Sequence, residues 1–269
     1  MTTIRLVSLR LSAAFSSAAK LSPYVRVTYF LIAVGFMVTA LLISIHPMVA
    51  ALAAAILCGW SEVDGLCGTS HVCTISPLRL MSPRDTLWLK AVSAYTVGGL
   101  VTGACAGALL GTLGQVVLLN RSYVLYGASM LIAALALVLA AREFNLVRFR
   151  LPQVYRQTQK IWAVEYGVVT ASAMWGSHIG LGFATVVQHG GFFVLVLFAG
   201  VLGPVKGALV MAAYWFGRTL PLWFARALSL DQCNAPELMR LLLVDRAVYR
   251  YAAAAGLVCT GLIALKLAM

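Results

Sequence analysis

What most limits the folds open to this chain is an interruption in an otherwise apolar sequence. Residues 60–77 read Trp-Ser-Glu-Val-Asp-Gly-Leu-Cys-Gly-Thr-Ser-His-Val-Cys-Thr-Ile-Ser-Pro, and no charged residue precedes them after Arg26. The stretch gathers Glu62, Asp64, Cys67, Ser70, His71, Cys73 and Pro77 between long apolar runs. Only 10% of the chain is charged and 62% is hydrophobic, against about 25% charged in an ordinary soluble domain. That balance places the chain among membrane proteins. In lipid a helix satisfies its own backbone, and a break in it must be sheltered by protein or line a cavity. Interrupted apolar segments in corresponding positions of two halves mark transporter-type sites. Here the second half holds Trp175-Gly176-Ser177-His178-Ile179-Gly180, which echoes Gly68-Thr69-Ser70-His71-Val72.

A crossing helix needs roughly 20 apolar residues. Val27–Ser44 meets this, and His46-Pro47 turns the chain after it, because proline disfavours helix at the residue before it. Met48–Gly59 is short and runs into the interruption as one broken element. Trp88–Leu119, Ser122–Ala141, Trp162–Val187 with a break at Gly176–Gly182, Phe192–Leu202, Gly207–Arg226 and Tyr251–Leu267 follow. The expected fold is all-α: a polytopic membrane protein of about seven crossings. Six of these form two inverted three-helix repeats with broken first helices, and one extra helix precedes them. The expected divisions are a basic cytoplasmic tail at 1–26, the extra helix at 27–45, the first repeat at 46–141, a basic linker at 142–160 and the second repeat at 161–269.

Charge sets the orientation. Four Lys or Arg lie at 5–26, three at 79–90, five at 142–160 and five at 218–250, leaving Arg121, Lys206 and Lys266 on the other side. Cytoplasmic loops collect Lys and Arg, so the N-terminus is expected inside. The same reasoning explains the net charge of +12 without nucleic acid as a partner; the lipid bilayer is the expected one.

The repeat has a second anchor. Ala94-Tyr95-Thr96-Val97-Gly98 matches Ala213-Tyr214-Trp215-Phe216-Gly217, and each follows a lysine, Lys90 or Lys206. The Ser-His motif, the lysine and Ala-Tyr-x-x-Gly occur in one order in both halves. Gly99, Gly103, Gly107 and Gly111 recur every fourth residue. They leave bare backbone on one helix face, where a neighbouring helix packs closely in lipid.

These features resemble the CcdA family, the membrane domain of DsbD-type thiol–disulfide carriers, which has two inverted three-helix repeats. Tyr214-Trp215-Phe216-Gly217 with Pro221 resembles the second-helix pattern of that family, and Ser76-Pro77 sits where its broken first helix would be. The phrases CGWSEVDGLCGTSHVCTISPLRL and WLKAVSAYTVGGL look most like the MauF family of methylamine utilisation proteins, over residues from about 47 onward. That resemblance implies an accessory protein of the bacterial inner membrane. It would support export, processing or maturation of periplasmic methylamine dehydrogenase, with other methylamine-utilisation maturation proteins and the dehydrogenase small subunit as partners. One departure matters: carriers of the CcdA type need a reactive cysteine in each half, and the second motif, 175–182, has none.

Several residues have two readings. Cys67 and Cys73 form a thiol pair assisted by His71, or are small apolar residues at a break. Of the other cysteines, Cys58, Cys105 and Cys259 read as packing. His71 and His178, with Ser70 and Ser177 beside them, meet near the midplane and serve a polar substrate, a proton or a cation with Glu62 or Asp64. Alternatively each imidazole bonds a carbonyl freed by the break. No metal-ligand spacing is present, and no Walker loop, dinucleotide fingerprint or hydrolase elbow appears. Neither a cofactor nor enzymatic activity is expected. The alternative function is a secondary transporter of a cation or small polar solute, with the paired histidines at the repeat interface. A plain scaffold is a third reading, in which only the packing glycines matter.

Overall fold

The computed structural model describes residues 23–64, 74–76, 78, 86–118, 122–152, 159, 161–182, 186–224 and 246–269. Among these the regular structure is entirely helical. In order the helices are α1 (Pro23–Ile45), α2 (Pro47–Ser61), α3 (Thr86–Leu118), α4 (Ser122–Glu143), α5 (Trp162–Glu165), α6 (Val168–Gly180), α7 (Gly191–Leu202), α8 (Pro204–Trp223) and α9 (Arg246–Ala268). A 3-10 turn, Glu62–Asp64, ends α2. Prolines open α2 and α8, where the absent N–H leaves no partner wanting.

Three of these helices, over Thr86–Val117, Tyr123–Glu143 and Ala247–Ala268, are long and apolar enough to cross a membrane. The outer faces of α3 and α4 carry Val101, Leu109, Val117, Leu131 and Val138 exposed. A soluble monomer seldom leaves so continuous an apolar surface uncovered; lipid is its natural solvent, and the chain is a membrane protein.

Glycine decides how the helices meet. α8 lies along α3, where a Cβ on Gly107 would strike the Gly207 carbonyl, one on Gly111 the Gly203 carbonyl, and one on Gly103 the Trp215 ring. A Cβ on Gly99 would make only ordinary contacts, 3.6 Å from the Gly176 carbonyl oxygen. Bare backbone at these points lets axes approach far closer than side chains would allow.

Two further seams make the same contact twice. α2 crosses α8 so that Gly59 abuts the Tyr214 carbonyl and Gly217 abuts the Ile56 carbonyl. α6 crosses α3 so that Gly176 abuts the Tyr95 carbonyl and Gly98 abuts the Ala173 carbonyl. Both Ala-Tyr-x-x-Gly motifs therefore use the tyrosine carbonyl and the glycine identically, each against a helical turn that ends in glycine from the other half of the chain. α4 and α9 flank this centre, and α1 packs on α2 and α9.

One sequence expectation shifts. α6 does not break at Gly176 but continues through Ser177 and His178 to Gly180. Gly176 serves close approach to Tyr95, and among the described residues the chain is out of helix at 181–182 and 186–190.

A methyl at Gly59 or Gly176 would meet backbone, which cannot rotate away. Gly59→Ala and Gly176→Ala are expected to destabilise by about 1–3 kcal/mol each. Gly127→Ala, with open space around it, is expected to be neutral. Thermal unfolding midpoints in detergent check all three.

Candidate functional site

The centre with the most chemistry lies where residues 186–190 lead into α7. A backbone without helix in an apolar bundle needs partners for its amides. Two carboxylates from different helices supply them. Glu62, fully buried in the turn after α2, accepts hydrogen bonds from the backbone N–H of Gln188 at 2.9 Å and of His189 at 3.0 Å. Glu143, at the last residue of α4, accepts from the Gly190 N–H at 3.3 Å and lies 3.0 Å from His189 Nδ1. Three successive amides are thus held by two acids. Both acids also sit at the positive end of α7, where negative charge is favoured.

Cations complete the cluster. Arg142 Nη1 donates to Glu143 at 2.6 Å, and Arg250 Nε stands 3.6 Å from the same carboxylate. Arg250 Nη2 donates to the Arg142 carbonyl at 2.8 Å, tying the start of α9 to the end of α4. On the inner side Arg218 of α8 is 5% exposed and stacks on the Trp215 ring at 4.8 Å. Its charge reaches Glu62. The order from the helix ends inward is therefore arginine, Glu143, His189, Glu62, Arg218. A carboxylate–imidazole pair of this kind can hold or hand on a proton.

The residues singled out in the sequence divide. Glu62 is part of the cluster. Asp64 belongs to the same turn, and its side chain lies outside the described residues, as do Cys67, Ser70, His71, Cys73 and Pro77 entirely. Ser177 sits in the α3–α6 seam beside Gly98. His178 stands edge-on to Trp162, with ring centroids 5.9 Å apart. Its Nδ1 is buried with no hydrogen-bond partner among the described residues. Tyr95 and Tyr214 are buried at the two glycine seams. Cys58 and Cys259 are buried free thiols, and Cys105 is exposed. No group of three His, Cys, Asp or Glu suited to a metal occurs among the described residues.

Glu143, His189 and Arg218 were not singled out by the sequence reading. The signal for the first was available: with eight acids in the whole chain, one closing an apolar span deserves scrutiny. Nothing local tells that Arg218 is buried rather than placed at the membrane surface.

Comparison with known proteins adds a relationship. No family model matches the chain, and no solved structure matches it. A curated relative, the methylamine utilization protein MauF of Methylorubrum extorquens, is 30% identical over 182 residues, covering 62% of this chain and 61% of the relative. The chain is similar to MauF. A second MauF, from Paracoccus versutus, is 25% identical over 173 residues, covering 64% of this chain and 61% of its own length. The chain thus spans about three fifths of the length of the MauF proteins it matches.

Removing the Glu62 charge orphans two amides and takes an acid away from the neighbourhood of Arg218. Glu62→Ala is expected to destabilise by about 3–5 kcal/mol, the range for breaking a buried pair. Adding Arg218→Met to Glu62→Ala is expected to recover part of that loss. A double-mutant cycle on unfolding midpoints measures the coupling; strict additivity would contradict an electrostatic link between the two residues.

Proposed function

We propose that this chain is an accessory protein of methylamine utilisation in the bacterial inner membrane. The observation that carries the proposal is its likeness to MauF proteins of two organisms, both named for methylamine utilisation. On this reading it supports export, processing or maturation of a periplasmic methylamine dehydrogenase, in contact with the dehydrogenase small subunit and the other maturation proteins. It performs no catalysis of its own. Its N-terminus is cytoplasmic: Lys90, Arg142, Arg148, Arg150 and Arg250 gather at one end of the bundle, and such excess marks the inner side. Lys206 and Lys266 lie toward the other end, with the Lys266 ammonium donating to the Ile43 carbonyl at 2.8 Å.

The architecture we propose is CcdA-like, with two inverted three-helix repeats. The paired glycine seams support it. A two-fold relation that exchanges α2 with α6 and α3 with α8 carries Gly59 against Tyr214 onto Gly176 against Tyr95. In this register Gly176 corresponds to Gly59 rather than to Thr69, its counterpart in the Ser-His echo. Electron transfer of the CcdA type remains outside the proposal, because the stretch 175–182 contains no cysteine. Any thiol chemistry rests with Cys67 and Cys73.

Deletion in the native host tests the reading. Growth on methylamine is expected to fail, with the dehydrogenase small subunit missing or immature in the periplasm and c-type cytochromes unchanged. Loss of the cytochromes as well would point to a general thiol carrier. Unchanged growth would remove methylamine utilisation from the account. In complementation, Cys67→Ser with Cys73→Ser is expected to abolish rescue if the support is thiol-based.

A further inference from the structure

The basic end of the bundle holds an open cavity of about 600 Å³ lined by Arg142, Arg148, Arg150 and Arg250 with Glu143 and Phe149. Its walls follow from the way α4 ends. The Asn145 N–H donates to the Arg142 carbonyl at 2.9 Å and the Leu146 N–H to the Ala141 carbonyl at 2.9 Å. Asn145 adopts φ 59°. This is the left-handed helix stop in which asparagine can replace glycine. It reverses the chain, so that residues 147–150 run back over the end of α4. Arg142 pins that return, donating from Nε to the Phe149 carbonyl at 3.1 Å. Arg148 and Arg150 are thereby brought to the same opening as Arg142 and Arg250.

Charge in the cavity does not balance. Four guanidinium groups face one carboxylate, and Glu143 is already engaged by Arg142, His189 and Arg250. Arg148 and Arg150 are exposed and make no ion pair with any described residue. Convergent planar guanidinium groups match an oxyanion with several acceptor oxygens better than a single-point contact. The rim is apolar: Leu146, Val147 and Phe149 are 47%, 41% and 43% exposed between the arginines. A cationic pocket with an apolar lip, at the end of membrane helices, suits an anion that carries its own hydrocarbon.

We propose that this cavity binds a phosphate group, supplied by the headgroup of an anionic phospholipid of the leaflet at the basic end. Arg148 and Arg150 bring the unbalanced charge, Arg142 and Arg250 form a fixed floor, and Val147 and Phe149 meet the glycerol and upper acyl chains. The site stands apart from the methylamine reading and does not depend on it.

The test uses the full chain in nanodiscs of phosphatidylcholine, with and without phosphatidylglycerol, and the variant Arg148→Gln/Arg150→Gln. These exposed residues lie outside the Glu62–Glu143 cluster, so the variant is expected to melt with the wild type in phosphatidylcholine alone. Phosphatidylglycerol is expected to raise the wild-type midpoint and to remain bound in native mass spectrometry. Removal of two interfacial cations is expected to weaken that binding by roughly thirty-fold. Inorganic phosphate alone is the second arm. If it matches the shift given by the lipid, the phosphate site stands and its source is a free anion. If phosphatidylcholine and phosphatidylglycerol bind alike, or the variant retains the lipid fully, the proposal is overturned.

Discussion

The structure turns on three backbone amides that no helix satisfies. Gln188, His189 and Gly190 lie between α6 and α7, and in an apolar interior each needs an acceptor. Glu62 and Glu143 provide them from the ends of α2 and α4. A carboxylate is the strongest acceptor available to a buried N–H, but burying its charge demands compensation. That demand accounts for Arg142 and Arg250 on one side and Arg218 on the other. One break in the chain therefore gathers four helices, α2, α4, α8 and α9, around one point.

Close approach makes this arrangement reachable. Glu62 meets the 186–190 segment because α2 lies directly on α8 and α7, with Gly59 against Tyr214 and Gly191 against the Cys58 side chain. A Cβ at either glycine would push α2 outward and stretch the hydrogen bonds from Gln188 and His189. Membrane helices gain no hydrophobic drive for pairing, so tight backbone contact and polar links carry the association. Seam and cluster thus support each other.

Much of this was legible in the sequence and some was not. Long uncharged runs name the membrane class and approximate the helices, and Tyr95–Gly98 and Tyr214–Gly217 stand out as a repeated motif. Their contact partners, Ala173–Gly176 and Ile56–Gly59, do not stand out. Only the glycine matters at a backbone contact, so Cys58 and Trp175 can occupy comparable places without resembling each other. The Ser-His echo drew attention to Ser70 and His71, which lie outside the described residues, while the glycine register runs through Gly59. Glu143 beside Arg142 looks locally like a common interfacial pair; its tie to His189, distant in the chain, exists only in three dimensions. His189 carries no local signal of its role, although its ring and its amide both serve the cluster.

The central claim is that Glu62 and Glu143 hold the break before α7. Amide hydrogen exchange on a peptide covering 186–191 tests it most directly. In the wild type these amides are expected to be protected. In Glu62→Ala they are expected to exchange about ten- to a hundred-fold faster, the loss of a hydrogen bond to a charged acceptor, while peptides from the centre of α3 stay unchanged. Equal protection in the two proteins would show that the break is held by something other than these carboxylates, and the account of the site would fail.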